Sequence, residues 1–139
     1  MLIRAATRAD APAIGDMHAQ AWTETYPGIA PPDLFAEMSD PARRRAAWAR
    51  IVATERMPES TFLAEADGGL LGFVNVCAAR DEALGTAGEV AALYLLRRAQ
   101  RRGIGTALLR QGAARLLEAG YPSAGAWVLD ANAGARAFY

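Results

Sequence analysis

The segment from Leu93 to Thr106 carries the clearest chemical signal in the chain, and its sequence is LYLLRRAQRRGIGT. An apolar run enters a loop with four arginines and two glycines, and an amphipathic stretch follows directly. The first turn of a helix presents unpaired N–H groups and a partial positive charge, and glycine lets a ligand approach the backbone. Arginine adds charge and reach. The pattern therefore predicts an anion site, such as a phosphate site.

The two common nucleotide-binding loops do not fit this segment. The dinucleotide fingerprint has a third glycine, and the P-loop ends in Gly-Lys-Ser or Gly-Lys-Thr. Gly103-Ile104-Gly105 is followed by neither. A lone Gly-x-Gly also occurs in simple tight turns, so the glycines alone are a weak signal.

His18 and Cys77 are the other residues with acid–base or nucleophilic chemistry. His18 has the chemistry of a base, but a lone histidine on an amphipathic helix is more often packed or exposed to solvent. Cys77 lies inside an apolar run, which favours a core position. One cysteine also excludes an internal disulfide framework and a cysteine-based zinc site. Neither residue has a partner nearby in sequence that would activate it as a covalent nucleophile.

Composition limits the classes of protein that fit. The 139 residues are 53% hydrophobic and 22% charged, which predicts one folded domain over residues 1–139. The formal net charge is zero, so no overall field attracts nucleic acid or anionic membrane. The sequence shows no signal peptide and no apolar run of about 18 residues that would span a bilayer. We expect a soluble, cytoplasmic protein.

Hydrophobic spacing and turn signals predict the elements that position the anion loop. The early part predicts a strand at Leu2–Ala5, a helix from the capping sequence Thr7–Asp10 to about Thr23, and helices that open at Pro31 and Pro41. The later part predicts a hairpin of Thr61–Ala66 and Leu70–Ala78, a strand Glu89–Leu96, a helix Gly103–Ala119, a strand Ala126–Leu129 and a last helix from Asp130 or Asn132. This order is typical of an α/β three-layer fold.

Three predictions concern which residues the core buries. The continuous apolar run Glu89–Leu96 predicts a central strand covered on both faces. The third helix is expected to turn Trp48, Ile51 and Val52 inward. The long helix is expected to bury an unbroken apolar stripe made of Leu108, Leu109, Gly112, Ala113, Leu116 and Leu117.

The segment from Gln100 to Gly105 is similar to the acetyl-CoA signature Gln/Arg-x-x-Gly-x-Gly/Ala of the GNAT superfamily of N-acetyltransferases. Asn132 to Tyr139, which reads NAGARAFY, resembles the later helix of that family that contains Asn and ends in Phe-Tyr. The order of elements agrees as well. Trp22-x-x-x-Tyr26-x-Gly28 is a further, less specific match. The resemblance implies a central mixed, mostly antiparallel sheet flanked by helices.

The resemblance also implies acetyl-CoA as co-substrate, with no metal. The backbone amides of Arg101 to Thr106 would hold the pyrophosphate, and the pantetheine arm would pair along β-strand residues before the loop. A bulge in that strand would open the slot, and the N–H of Leu95 would face the thioester oxygen. The predicted donor-binding residues are Leu93, Tyr94, Leu95, Gln100, Arg101, Arg102, Gly103, Ile104, Gly105, Thr106 and Asn132. Asn132 has the alternative of capping the last helix.

The reaction so implied is direct attack of a primary amine, on a small molecule or peptide, on the thioester in a ternary complex. Tyr139 matches the family tyrosine that donates to the departing sulfur, with a packed aromatic as the alternative. Glu89 is a candidate base acting through water, with an exposed strand-start acid as the alternative. Trp22 and Tyr26 are the predicted acceptor-binding residues, in a pocket reaching to Leu34 and the loop before Glu89.

One departure from the family pattern leaves a second function open. Relatives continue past this tyrosine with a Gly-Phe turn and at least one more strand, so we expect the domain to be cut short at Tyr139. An unpaired strand edge there would favour a homodimer. A non-catalytic acyl-CoA-binding or regulatory module is then the alternative to an enzyme. Four arginines in a neutral protein argue against a nucleic-acid partner.

Overall fold

The computed structural model describes residues 1–54, 59–128 and 132–139. Its order of one strand, helices, three strands, helix, strand and helix confirms the predicted succession. The elements are β1 (Leu2–Ala5), α1 (Ala11–Thr25), α2 (Pro32–Met38), α3 (Pro41–Thr54), β2 (Thr61–Ala66), β3 (Gly69–Ala78), β4 (Gly88–Leu95), α4 (Ile104–Glu118), β5 (Ala124–Gly125) and α5 (Ala133–Phe138). Among the described residues, none of the helices has the length and apolar character needed to cross a membrane.

One five-stranded sheet has the order β1-β2-β3-β4-β5. The first four strands are antiparallel, and β5 pairs with β4 in parallel, which makes the sheet mixed as expected. The middle position belongs to β3, so the prediction that β4 is central was wrong. Because β5 contributes only two residue pairs, β4 has a full partner on one side and Leu93–Leu95 stay partly exposed.

The two faces of the sheet carry different helices because side chains alternate along a strand. Leu63 and Phe73 are fully buried in the cluster formed with α1 and α3. Val74 and Val76 belong to the cluster formed with α4. A Cβ on Gly112 would lie 2.8 Å from Val76, so glycine is what lets α4 pack directly on β3. The start of α4 and the end of α1 consequently approach β4 from opposite faces.

Three expected core residues, on α4 and α3, lie at the surface. Leu117 is 64% exposed, since it is one position beyond the buried face that ends at Leu116 and so rotates by about 100°. Ala113 is exposed for the same reason, directly after Gly112. On α3, Trp48 is buried, whereas Ile51 is 36% exposed on the flank of the helix.

The predicted strand at 126–129 was also wrong for its described part. β5 ends at Gly125, and residues 126–128 have no regular structure, while Leu129 and Asp130 fall outside the described residues. The cause lies in β4, where Val90 pairs with Val76 but Ala92 pairs with Asn75, so Ala91 is an extra, bulged residue. A bulge bends its strand, and the pairing with β5 stops just before it.

Candidate active site

The phosphate loop, defined here as residues 97–106, connects β4 to α4 by a series of tight turns. A short 3₁₀ turn at Arg97–Ala99 is followed by Arg101 and Gly103, whose φ angles are +61° and +79°. A positive φ is uncommon for arginine and often marks a functional turn. The first helical hydrogen bond of α4 runs from the N–H of Ala107 to the carbonyl of Gly103, at 3.1 Å. The helix therefore leaves the preceding amides free for a ligand.

Below this loop, β4 and the segment after β5 diverge and form a groove of about 640 Å³. The bulge at Ala91 opens it, as the resemblance implied. One wall is the strand from Val90 to Leu95, and the other wall is formed by Trp127, Val128 and α5. The phosphate loop closes one end, so a long, anionic ligand with an extended arm fits the shape and the charge of the groove.

A second cavity, the acceptor cavity, lies between the end of α1, α2 and β4 and measures about 260 Å³. Its lining is Trp22, Tyr26, Leu34, Met38, Tyr94, Trp127 and Val128. Tyr26, Tyr94, Trp127 and Val128 line the groove as well. These four residues form a shared wall of the two cavities, so a molecule in one cavity would lie close to a molecule in the other.

The aromatic cluster, defined as Trp22, Tyr26 and Tyr94, is held together at this shared wall by hydrogen bonds. The Trp22 indole N–H donates to the Tyr94 hydroxyl at 3.2 Å. The Asn132 side-chain amide donates to the Tyr26 hydroxyl at 3.3 Å. Burial, together with the charge and hydrogen bond of the neighbouring Tyr26, raises the pKa of Tyr94 well above its usual range. The cluster thus keeps the Tyr94 hydroxyl protonated and in place.

Tyr139 lies on the groove beside this cluster. Burial of its hydroxyl, and then the neighbouring Tyr26, raise the pKa of Tyr139 to about 12. A phenol with that pKa carries its proton at neutral pH. Its position and its protonation state suit a hydrogen-bond or proton donor to a leaving group.

Glu89 is 2% exposed, although the sequence suggested a surface acid as the alternative to a base. Its carboxylate accepts hydrogen bonds from the Arg80 backbone N–H at 3.1 Å and from two guanidinium nitrogens of Arg80, the closer at 2.6 Å. The Arg80 hydrogen bonds hold the pKa of Glu89 below its usual range against the effect of burial. Glu89 lines neither cavity among the described residues.

His18 is packed beneath the aromatic cluster, as the alternative to a base predicted. Its Nδ1 accepts from the Trp48 indole N–H at 3.0 Å, and its ring lies 4.6 Å from that of Tyr94. Burial, and then the charge of Arg44, lower the pKa of His18 to about 3. Cys77 is partly buried on β3, and burial raises the pKa of its thiol.

Most residues predicted to bind the donor come together on the groove. They are Leu93, Tyr94, Leu95, Gln100, Arg101, Gly103, Gly105, Thr106 and Asn132. Two do not line it: the Ile104 side chain is 3% exposed in the core beneath α4, and Arg102 is exposed beside the lining. Asn132 also caps α5, since its Oδ1 accepts from the N–H of Ala135 at 3.0 Å.

The sequence did not single out Met38, Trp127 and Val128 as site residues. The strand assigned to 126–129 concealed the last two, because it placed them inside the sheet. The loop before Glu89, predicted as part of the acceptor pocket, lines neither cavity in the described structure. A residue type typical of a β-bulge would have been the useful signal. Ala91, inside an apolar run, is not such a residue.

Comparison with known proteins agrees with this geometry. Residues 15–139 match the acetyltransferase (GNAT) family. The uncharacterized N-acetyltransferase YuaI of Bacillus subtilis (strain 168) is 33% identical over 135 residues, which cover 94% of this chain and 72% of that protein. The chain therefore belongs to the GNAT family. It is an N-acetyltransferase with acetyl-CoA as its acetyl donor.

Solved structures share the fold at lower sequence identity. The PaiA N-acetyltransferase from Thermoplasma acidophilum in complex with coenzyme A superimposes with a TM-score of 0.76 at 21% identity, covering 99% of this chain and 85% of that one. A ribosomal-protein-alanine N-acetyltransferase from Brucella melitensis gives a TM-score of 0.72 at 24% identity, with coverages of 99% and 80%. These likenesses establish the architecture of a mixed sheet flanked by helices.

Proposed function

We propose that this protein transfers the acetyl group of acetyl-CoA to a primary amine of a small molecule or peptide by direct attack in a ternary complex. The observation that carries the proposal is the wall shared by the groove and the acceptor cavity. When the same residues line the two cavities, both reactants are held close together, and a bimolecular encounter becomes an effectively unimolecular step. The amine nitrogen forms a bond to the acetyl carbon, and the carbon–sulfur bond breaks to release the coenzyme A thiol.

The phosphate loop fits the pyrophosphate of the donor. The amides of residues 101–106 would donate to its oxygens, and Arg101 would add charge from the groove wall. The exposed edge of β4 at Leu93–Leu95 has free backbone groups for the two amides of the pantetheine arm. The Leu95 N–H would stabilise negative charge on the thioester oxygen.

Tyr139 is proposed as the acid that donates to the departing sulfur. Its raised pKa favours the protonated phenol throughout the neutral range. Trp22 and Tyr26 are proposed to contact the acceptor inside the acceptor cavity, which both residues line. Proximity contributes more to the rate than either side chain, so single substitutions at these aromatic residues should reduce turnover without abolishing it.

Glu89 is proposed to position the start of β4 through Arg80. A carboxylate with a lowered pKa and three hydrogen bonds from one partner is a weak base. The proton that the amine loses is then proposed to pass to solvent from the acceptor cavity. The single cysteine of the chain is the observation behind a cytoplasmic location, which stays a prediction.

Thiol release from acetyl-CoA in the presence of an amine panel tests the proposed reaction. We expect thiol release that depends on the amine and gives the acetylated amine by mass spectrometry, with intersecting initial-rate patterns for the two substrates. Coenzyme binding by calorimetry without turnover of any amine would contradict the proposal. Parallel initial-rate patterns would contradict the ternary complex and indicate an acyl-enzyme.

A further inference from the structure

Among the residues that the structure describes, those lining the acceptor cavity are uncharged. Within the described residues, its wall consists of aromatic rings, Leu34, Met38 and Val128. The Trp22 and Tyr26 rings are 4.1 Å apart and tilted by 40°, so they form one continuous apolar surface. A substrate in this cavity meets carbon and sulfur atoms and the faces of rings over most of its surface.

The aromatic cluster, which forms part of this lining, already uses its polar side-chain atoms in hydrogen bonds. The Trp22 N–H is used by the Tyr94 hydroxyl, and the Tyr26 hydroxyl accepts from Asn132. A second charged group on the acceptor would therefore lose its water without gaining an ionic partner from the lining. Burial of an unpaired charge is strongly unfavourable.

Glu24 on α1 and Glu37 on α2 have charged or polar partners of their own. The Glu24 carboxylate accepts from the Arg97 backbone N–H at 2.8 Å. Glu37 lies 3.9 Å from Arg44. None of these four residues lines the cavity. They do not supply a counter-ion for a substrate inside it.

We propose that the acceptor is a primary amine on a small apolar carrier, alkyl or aryl, without a second charge. An apolar lining favours the neutral amine, which is the nucleophilic form. The cavity, at about 260 Å³, lies below the range of about 300–1,000 Å³ typical of sites for drug-sized ligands, so the carrier is small. This assignment rests on the proposed function and narrows its substrate class.

A matched set of amines tests the assignment. Hexylamine, 1,6-diaminohexane and 6-aminohexanoate have the same chain length and differ only in the group at the far end. We expect kcat/KM for hexylamine to exceed that for each of the other two at least tenfold. Butylamine should fall roughly tenfold below hexylamine, because each buried methylene contributes about threefold to fourfold.

The outcomes separate the two proposals. Aromatic rings also attract cations, so a diamine acetylated as well as hexylamine would overturn the apolar assignment and leave the acetyl transfer standing. The same holds for 6-aminohexanoate. Binding of acetyl-CoA without turnover of any of these amines would overturn the assignment. Turnover of a charged or peptide amine in the wider panel would then leave the proposed function standing, whereas no turnover in that panel would overturn both.

A charge placed in the cavity wall gives an independent test. Leu34 is 36% exposed on α2, so Leu34→Glu should fold, and it should lower kcat/KM for hexylamine about tenfold while favouring the diamine. The matched control is Leu117→Glu, at a 64% exposed position outside both cavities, which should change neither value. An unchanged ratio of hexylamine to diamine in Leu34→Glu would overturn the assignment.

Discussion

In the proposed reaction the phosphate loop and the aromatic cluster serve opposite ends, and they are built in opposite ways. The loop offers backbone N–H groups, and Arg101, Arg102 and Gly103 within it are exposed. The cluster offers side chains, with Trp22 and Tyr26 buried and joined by hydrogen bonds to residues distant in sequence. One region depends on chain conformation, and the other depends on packing.

This difference affects how each region responds to change. A backbone site tolerates most side chains but fails when a residue cannot adopt its φ angle or fills the space of the ligand. A side-chain site depends on the protonation of its members and of the residues beneath them, here His18 under Tyr94. Substitutions and pH should therefore separate the two regions.

The largest expected effect is at the backbone site. Gly103→Glu should weaken coenzyme A binding at least hundredfold, because it puts bulk and negative charge where the phosphates bind and strains a φ of +79°. Calorimetry with coenzyme A measures the loss, and circular dichroism checks the fold. Gly103→Gln is the matched control for size and strain, and it should lose less affinity. Unchanged affinity in Gly103→Glu would refute the phosphate site.

The next effect concerns the packing beneath the cluster. The folded-state pKa of His18 is about 3, well below its ordinary value of about 6.5, so only the unfolded chain takes up this proton between those values. The contribution of His18 to the free energy of unfolding is complete above pH 6.5 and falls by at most about 1.4 kcal/mol per pH unit below it. Urea unfolding should show a loss of roughly 2 kcal/mol from pH 6.5 to 5.

His18 is the only histidine in the chain, which makes the control simple. His18→Gln should remove most of this pH dependence, since amide groups do not titrate there. The pH dependence of coenzyme A affinity should be the same in His18→Gln and in the wild type while both remain folded. A wild-type free energy of unfolding that is flat between pH 6.5 and 5 would contradict a buried, neutral His18.

A smaller effect is expected where the two regions meet. Tyr139→Phe should lower kcat about tenfold and leave coenzyme A affinity within about twofold, because it removes a donor to the leaving group only. With a pKa of about 12, Tyr139 should also give no loss of wild-type kcat up to pH 10. Pre-steady-state and steady-state thiol release measure the kcat of the variant and the pH dependence of the wild-type kcat. Equal kcat in the variant would remove Tyr139 from the mechanism.

The smallest effect is expected at Glu89, outside both cavities. Glu89→Gln should change kcat less than threefold and lower the free energy of unfolding by about 1–2 kcal/mol, because a buried hydrogen-bonded charge is lost. Arg80→Gln should reproduce both values if the two residues act as one positioning pair. A kcat loss above tenfold in Glu89→Gln alone, with loss of the acidic limb of the pH profile, would restore Glu89 as the base.

The course of the phosphate loop from β4 into α4 could be predicted from the sequence because its parts are contiguous, and phosphate binding there stays a prediction. Gln100 to Gly105 hold the turn, the glycine and the helix start within one short segment. The hairpin around Asp67 and Gly68 was predictable for the same reason, and both residues have the positive φ that its two-residue turn requires. Local signals such as these do not depend on what packs against them.

The aromatic cluster could be predicted only in part. Trp22 and Tyr94 are 72 positions apart, and their hydrogen bond follows from how α1 packs on β4. The early end of β5 follows from a bulge at Ala91, whose residue type carries no signal for it. The exposure of Leu117 depends on which face of α4 meets the sheet. Hydrophobic spacing alone predicted a buried face that was too broad.

The central claim is that backbone nitrogens of the phosphate loop hold the pyrophosphate of acetyl-CoA. A crystal structure of the protein with coenzyme A tests it most directly. The account predicts pyrophosphate oxygens within about 3.2 Å of amide nitrogens among residues 101–106. A pyrophosphate bound elsewhere, or held by arginine side chains without those amides, would contradict it.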